Sequence, residues 1–459
     1  MEIKIPEKVD EILNQLHEHG FEAYIVGGCV RDALLGREPE DWDITTSAKP
    51  EQVKQLFRRT IDTGIQHGTV TVMMDKEGFE VTTYRIDGEY EDGRHPKEVE
   101  FTANLLEDLK RRDFTINAMA YSKEDGIVDA FDGMGDLKRK MVRCVGDAEE
   151  RFSEDALRML RAVRFSAQLD FTVEEKTKEA IVKKADTLSK ISAERVRVEL
   201  DKLLSSDHPE RLLVGAELGI TNIVLPEFDR MLATKQNHPH HKYDVGHHTI
   251  EAICRVHDIA KWEQLDKKEL SMLSWTALLH DVGKPDCLTV GEDGITHFYG
   301  HPKTSQEMAH HILRRLRFDN HTIHMVCHLI GYHDVRFSVK KNKMRKKINQ
   351  IGVDAMPYLF CMMEADILSQ SEYQREEKLE ALQQTKQMYE EILDAKECVS
   401  LQMLEVKGGD LLAEGFQKGK CIGEILQYLL EAVLETPENN EKASLLSLAK
   451  EHFPQYLSD

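Results

Sequence analysis

Between Glu7 and His19 apolar residues recur at helical spacing, and Gly20 ends the run, which predicts an amphipathic helix. Short stretches rich in β-branched and aromatic residues follow at Glu22–Gly28, Trp42–Ser47, Gly68–Met74, Phe79–Arg85 and Gly126–Phe131, and they read as strands. From Ser153 onward the apolar spacing is helical almost to the end, broken at Gly219, Pro226, Pro239, Gly283–Pro285 and Gly408–Gly409. A chain of 459 residues is too long for one core, so several units in series are expected. The pattern divides it into a mixed α/β head at 1–145, a helical neck at 146–235, a histidine-rich helical middle at 236–385 and a helical tail at 386–459.

Composition narrows the function classes. The chain is 41% hydrophobic and 31% charged, and no run reaches the roughly 18 apolar residues of a membrane helix. The opening residues lack the basic end and apolar block of a signal peptide. Cysteines 29, 144, 254, 287, 327, 361, 398 and 421 stand singly with no CxxC pair, as reduced thiols do, so a cytoplasmic protein with no membrane partner is expected. A net charge of −21 excludes indiscriminate nucleic-acid binding, because phosphate neutralisation dominates such affinity. Any RNA contact is local. Lys340, Lys341, Lys343, Arg345, Lys346 and Lys347 form the one basic run, which reads either as an RNA surface or as a solvated face.

Candidate chemistry begins at Tyr24–Asp32, where a strand runs through Gly27 and Gly28 into a helix, a turn that presents backbone N–H groups to a phosphate; Arg31 adds a charged fork. Asp41 and Asp43 flank Trp42, and strand alternation would place both carboxylates on one face with Trp42 toward the core. Two hard oxygen ligands suit Mg²⁺, which completes its shell with water and substrate phosphates. Glu80, in the Phe79–Arg85 run, is a candidate third carboxylate or a surface acid.

Gly27-Gly-Cys-Val-Arg-Asp32, Asp41-Trp-Asp43 and Arg111-Arg112-Asp113 together resemble motifs of the class II tRNA nucleotidyltransferases, the CCA-adding enzymes and their bacterial poly(A) polymerase relatives. Asp132-Gly-Met-Gly-Asp-Leu-Lys138 resembles the family's hinge segment, Glu154-Asp155-Ala-Leu-Arg158 its nucleotide-reading motif, and Glu194-Arg-Val-Arg-Val-Glu199 its next helical motif. The resemblance implies an α/β, polymerase-β-like nucleotidyltransferase head followed by all-α neck, HD-like and tail domains. It also implies that an RNA 3′-hydroxyl attacks the α-phosphate of a nucleotide at metal held by Asp41 and Asp43, with Gly28, Arg31, Arg112, Asp155, Arg158, Arg161 and Arg164 binding the nucleotide. Cytosine and adenine both present an amino donor beside a ring-nitrogen acceptor, a pattern that an Asp–Arg pair complements and that uracil and guanine oppose. Asp155 and Arg158, three apart on a helix that Ser153 would cap, supply such a pair; an ordinary surface ion pair has the same spacing. The expected partners are tRNA, CTP and ATP. The polar stretch 86–100 resembles the family's flexible loop, whose presence favours full CCA addition over addition of A alone or poly(A) synthesis. Gly408–Leu412 and Gly415–Gly419 resemble the family's tail motif, and glycine-capped turns have the same form.

The middle region carries a second constellation. His248, His280-Asp281, His301, His333 and Asp366 occur in the order expected of an HD-type phosphohydrolase. Imidazole and carboxylate together suit Mn, Fe, Ni or Zn rather than magnesium alone. Other histidines, at 238, 240, 241, 247, 310 and 311, read as ordinary polar groups. A metal-dependent phosphohydrolase is thus the alternative of another class, or a second activity, and a pure RNA-binding module is the remaining one. Oligomeric state is left open.

Overall fold

Helix Glu7–Glu18 buries Val9, Ile12, Leu13 and Leu16, and Gly20 turns the chain with φ +81°. This computed structural model describes residues 2–87 and 99–457. Strands follow at β1 (Ala23–Val26), β2 (Ile44–Thr46), β3 (Thr60–Gly64), β4 (Thr69–Met74), β5 (Glu77–Thr83), β6 (Arg85–Asp87), β7 (Val99–Phe101), β8 (Met119–Ser122) and β9 (Gly126–Asp129). Seven of them form one sheet in the order β3-β4-β5-β2-β1-β8-β9, with β2 parallel to β5 and the other neighbours antiparallel. Strands β1 and β2, in the middle of the sheet, are buried on both faces, and the hydroxyls of Thr45 and Thr46 are satisfied by donating to the Thr82 and Glu22 carbonyls. Strands β6 and β7 pair as a separate ribbon. The expected flexible loop, apart from these strand residues, lies outside the described residues.

The chain divides into two compact units, Met1–Asp229 and Arg230–Asp459. In the first, helices Ala148–Glu154, Leu157–Leu169, Glu175–Lys184 and Ala193–Leu204 follow the sheet, and Leu157–Leu169 packs along Ala193–Leu204. In the second, helix Val245–Trp262 packs between Lys267–Leu279 and Met356–Ser369, while Asn320–Tyr332 packs against His301–Arg315 and Lys267–Leu279. Trp275, Val256, Ile330 and Met362 are fully enclosed there. Toward the carboxyl end Leu404, Val406, Leu411, Phe416, Ile425, Leu429, Val433 and Leu445 form a further core, so the Gly408–Leu412 and Gly415–Gly419 segments contribute Leu411 and Phe416 to packing. Among the described residues no helix is long and apolar enough to cross a membrane.

Half of the basic run is tied into the fold by acids. Arg345 is 5% exposed and caps the carboxyl end of helix Lys420–Glu435: its Nε donates to the Leu434 carbonyl at 2.8 Å and its Nη2 to that of Glu435 at 3.0 Å. Its Nη1 meets Glu397 at 2.6 Å, Lys341 pairs with Glu391 at 2.9 Å, and Lys346 pairs with Glu435. Three of the six cations are thus paired with acids distant in sequence, which lowers the run's value as an RNA surface.

Candidate functional sites

In the head, Gly27 adopts φ +81°, and a Cβ there would stand 2.9 Å from Nη1 of Arg112, so both conformation and space call for glycine. The Gly27 N–H is not bare, as the sequence suggested, but donates to the Met119 carbonyl at 3.1 Å. Helix Gly28–Leu34 begins directly after it. Asp41, Trp42 and Asp43 form an extended lead-in to β2 rather than part of the strand, although the Asp43 carbonyl still accepts from the Val26 N–H at 3.0 Å. Trp42 is half-buried rather than in the core, and both carboxylates remain open to solvent. Desolvation raises the Asp43 carboxyl pKa, the Arg112 guanidinium opposes this, and Asp41 reinforces it. Glu80 on the neighbouring β5 is raised by desolvation and then by Asp43 and Asp41. The three acids thus share one field. A cation between them would relieve that crowding.

Behind this face lies a chain of charged groups spanning the first unit. Arg31 forks onto Asp32 with two contacts of 2.8 Å and donates to Asn117 Oδ1 at 2.7 Å. Asn117 Nδ2 donates to Asp113 at 3.1 Å, and the other Asp113 oxygen takes Arg161 through Nε at 2.8 Å and Nη2 at 2.5 Å. Arg164, 6% exposed, pairs with Glu199 at 2.5 Å, and burial lowers its pKa to about 10 despite that partner. Arg31, Arg161 and Arg164 all lie over the Phe165 ring, at 5.0, 5.3 and 3.8 Å. Arg112 reaches Asp108 at 3.5 Å, and its buried Nε has no hydrogen-bond partner.

The expected Asp155–Arg158 pair is arranged differently. Ser153 caps nothing, since its hydroxyl donates to the Glu149 carbonyl within helix Ala148–Glu154. Asp155 sits in the extended break between two helices and itself accepts the Leu157 N–H at 3.0 Å. Its carboxylate is held by Arg195 at 2.6 and 3.3 Å, while Arg158 binds Glu154 at 2.6 Å and the Arg111 carbonyl at 2.9 Å.

In the second unit all six sequence candidates converge. His248 Nε2 lies 3.0 Å from Asp366 and 3.5 Å from Asp281, and His280 Nε2 lies 3.2 Å from Asp281 and 3.6 Å from Asp366. His301 and His333 stand 3.4 and 3.9 Å from the other Asp281 oxygen. His248 Nε2, His280 Nε2 and both Asp281 oxygens are buried without a hydrogen bond of proper geometry, a donor set that fits a metal. Asp281, His301, His333 and Asp366 line a cavity of about 310 Å³ together with Lys284, His241 and Asp334. Burial lowers the pKa of His241 to about 3, so this imidazole is neutral.

The Poly A polymerase head domain family matches residues 23–143, the family described as probable RNA and SrmB-binding site of polymerase A matches 170–232, and tRNA nucleotidyltransferase domain 2 (putative) matches 288–449. The chain belongs to the tRNA nucleotidyltransferase and poly(A) polymerase family. The CCA-adding enzyme of Lactobacillus delbrueckii subsp. bulgaricus is 59% identical over 192 residues, 42% of this chain and 48% of that enzyme. That of Lactiplantibacillus plantarum is 53% identical over 204 residues, 44% and 50% of the two chains. The chain spans about half the length of the curated relatives it matches by sequence. The Bacillus stearothermophilus CCA-adding enzyme, solved in complex with CTP, is 29% identical with a TM-score of 0.71 over 98% of both chains. The Thermotoga maritima CCA-adding enzyme complexed with tRNA is 20% identical with a TM-score of 0.59 over 97% of this chain and 96% of that one, a likeness of fold.

As in its family, the head is polymerase-β-like with a mixed sheet, the remainder is mostly helical, and a divalent cation, typically Mg²⁺, is the implied cofactor. Sequence reasoning passed over several residues at these sites. Lys284 was legible, since it stands three residues beyond Asp281, and its ammonium lies 2.7 Å from that carboxylate. The Arg31 contact of Asn117 had no such signal, since it spans 86 positions, and the Glu194–Glu199 motif did not reveal that Arg195 and Glu199 meet Asp155 and Arg164, 40 and 35 positions away.

Proposed function

We propose that this chain adds C, C and A to the 3′ end of tRNA from CTP and ATP, without a template. The shared field of Asp41, Asp43 and Glu80 beside Arg112 carries the reading. Divalent cations bound there would lower the pKa of the attacking RNA hydroxyl and neutralise charge on the departing pyrophosphate. Asp41, Asp43 and Glu80 would hold them. Arg112, Arg31 and the Gly27–Gly28 turn would receive the phosphates, with Asp113 and Asn117 orienting Arg161 and Arg31. Asp155 and Arg158 would read the base, exchanging Arg195 and Glu154 for the edge of cytosine or adenine.

The test is incubation with Mg²⁺, CTP and ATP on a tRNA lacking its terminal CCA, followed by sequencing of the 3′ end. Ordered growth by C, C and A that then stops is expected. A single A added only to a tRNA already ending in CC would instead assign A addition, and a long A tail would assign poly(A) synthesis. Glu80→Gln is expected to raise the Mg²⁺ concentration for half-maximal incorporation about tenfold, the scale of losing one weaker metal contact. An unchanged Mg²⁺ titration would return Glu80 to the surface.

For the second unit we propose a metal-dependent phosphohydrolase site, favoured by the orphaned atoms of His248, His280 and Asp281, the last of which lines its cavity. His248, His280, Asp281, His301, His333 and Asp366 would hold Mn, Fe, Ni or Zn, which when bound would supply an activated water. With all eight cysteines free, a cytoplasmic setting fits both activities.

A further inference from the structure

Three of the arginines named for the nucleotide converge on one buried ring. Phe165, on helix Leu157–Leu169, is 4% exposed. Over it lie the guanidiniums of Arg31, from helix Gly28–Leu34, at 5.0 Å, and of Arg161 and Arg164, from its own helix, at 5.3 and 3.8 Å. Phe114 packs on the same ring in a T-shaped arrangement with 5.8 Å between centroids. An arginine beside a buried phenylalanine is often no more than a hydrocarbon stem on a hydrocarbon surface. Here the charged carbons themselves lie within 5.3 Å of the ring centre.

The acids around the ring and the ring itself constrain different motions. Asp32 takes two N–H groups of Arg31 at 2.8 Å, and Asp113 takes two of Arg161 at 2.8 and 2.5 Å. Arg164 donates to Gln168 Oε1 at 2.6 Å, whereas its Nε stands 2.5 Å from Glu199 without hydrogen-bond geometry. Asp32, Asp113 and Glu199 thus balance the three guanidiniums in charge. Contacts along the N–H edge hold a guanidinium within its own plane and leave its tilt free. A ring under the flat face fixes the tilt, because the negative face of the π system attracts the cation stacked on it. A guanidinium also has more N–H groups than these contacts use, so each of the three keeps donors for a phosphate.

We propose that Phe165 is a positioning residue for nucleotide binding, its ring face holding the guanidiniums of Arg31, Arg161 and Arg164 at the tilt in which they receive the nucleotide. This rests on the reading of the first unit as a nucleotide site and adds the group that orients its arginines. Affinity for nucleotide then depends on the electron density of the Phe165 ring, and not only on its volume.

The experiment uses the full chain with Phe165 replaced, by amber suppression, with phenylalanines of rising fluorine content. Fluorine draws electrons from the ring face and nearly keeps the ring's shape, so packing is retained while the attraction for cations fades and then reverses. CTP affinity is measured by calorimetry with Mg²⁺ and without RNA, so that no turnover occurs, and each chain is also melted. Kd for CTP is expected to rise stepwise with fluorine content, reaching about tenfold for the fully fluorinated ring, with every chain folded at the assay temperature. Should the fully fluorinated chain fail to fold, the less fluorinated chains still give the slope. Equal affinity across the series, or affinity lost only where the chain has melted, would overturn the proposal and leave Phe165 as core filling. An unmodified chain that binds no CTP would instead overturn the nucleotide reading on which the proposal rests.

Discussion

Asp41→Ala and Asp43→Ala are each expected to reduce nucleotide incorporation on the order of 10³-fold or more, the scale of removing a group that acts as part of a catalytic unit. The loss should come without unfolding. Both carboxylates are open to solvent, so neither replacement leaves a cavity. Desolvation and Asp41 raise the Asp43 pKa, so ionised Asp43 costs the metal-free fold stability at neutral pH, with Arg112 offsetting part of the cost. Asp43→Asn should therefore melt at the same temperature as the unmodified chain or slightly above it in chelator, the usual relation between a crowded site and the fold that carries it. Incorporation within tenfold of the unmodified chain would remove these acids from the chemistry. Any hydrolase activity of the second unit should persist, as incorporation should in Asp281→Ala.

Replacing Asp113 should instead act through stability and positioning. Its carboxylate accepts from the Phe114 N–H at 2.8 Å, from Asn117 and from both arms of Arg161. Removing one member of a buried charged pair costs about 3–5 kcal/mol, and the lower end applies here because Arg161 is 32% exposed and Glu199 stands 3.7 Å away as a second acid. Asp113→Ala is therefore expected to lose about 3 kcal/mol in chemical denaturation, with KM for nucleotide raised as Arg161 and Asn117 lose their register. The pH dependence has a definite sign. Burial alone would raise the Asp113 pKa, but Arg161, Arg158 and the Asn117 hydrogen bond outweigh it and hold the carboxyl well below the usual range. A depressed folded pKa contributes stability above the unfolded value near pH 4 that is lost as pH falls through the folded value. The gap between the unmodified chain and Asp113→Asn should thus be full at neutral pH and shrink below about pH 4. A gap constant from pH 7 to pH 3 would contradict this account.

The sites differ in how far the sequence exposed them. The second unit's converging histidines and aspartates were legible residue by residue, because few residue types suit a metal and helical spacing limits which of them face inward. The Asp155–Arg158 pairing was not. Spacing of three on a helix makes two side chains neighbours, but here the first residue lies outside the helix and Arg195 from another helix takes its carboxylate. The strand expected around Asp41 starts at Ile44, since polar Asp41 and Asp43 remain in solvent while Ile44 enters the core.

By itself the sequence determined the α/β head, the helical remainder and which histidines and aspartates of the second unit come together. Those follow from hydrophobic period and from ligand chemistry, which are properties of local sequence. Only the tertiary structure decided which acid each guanidinium meets, that Glu391, Glu397 and Glu435 pair with half of the basic run, and that the two oxygens of Asp281 face different histidine pairs. Long charged side chains have several partners within reach, and the choice among them is set by packing between segments far apart in the chain.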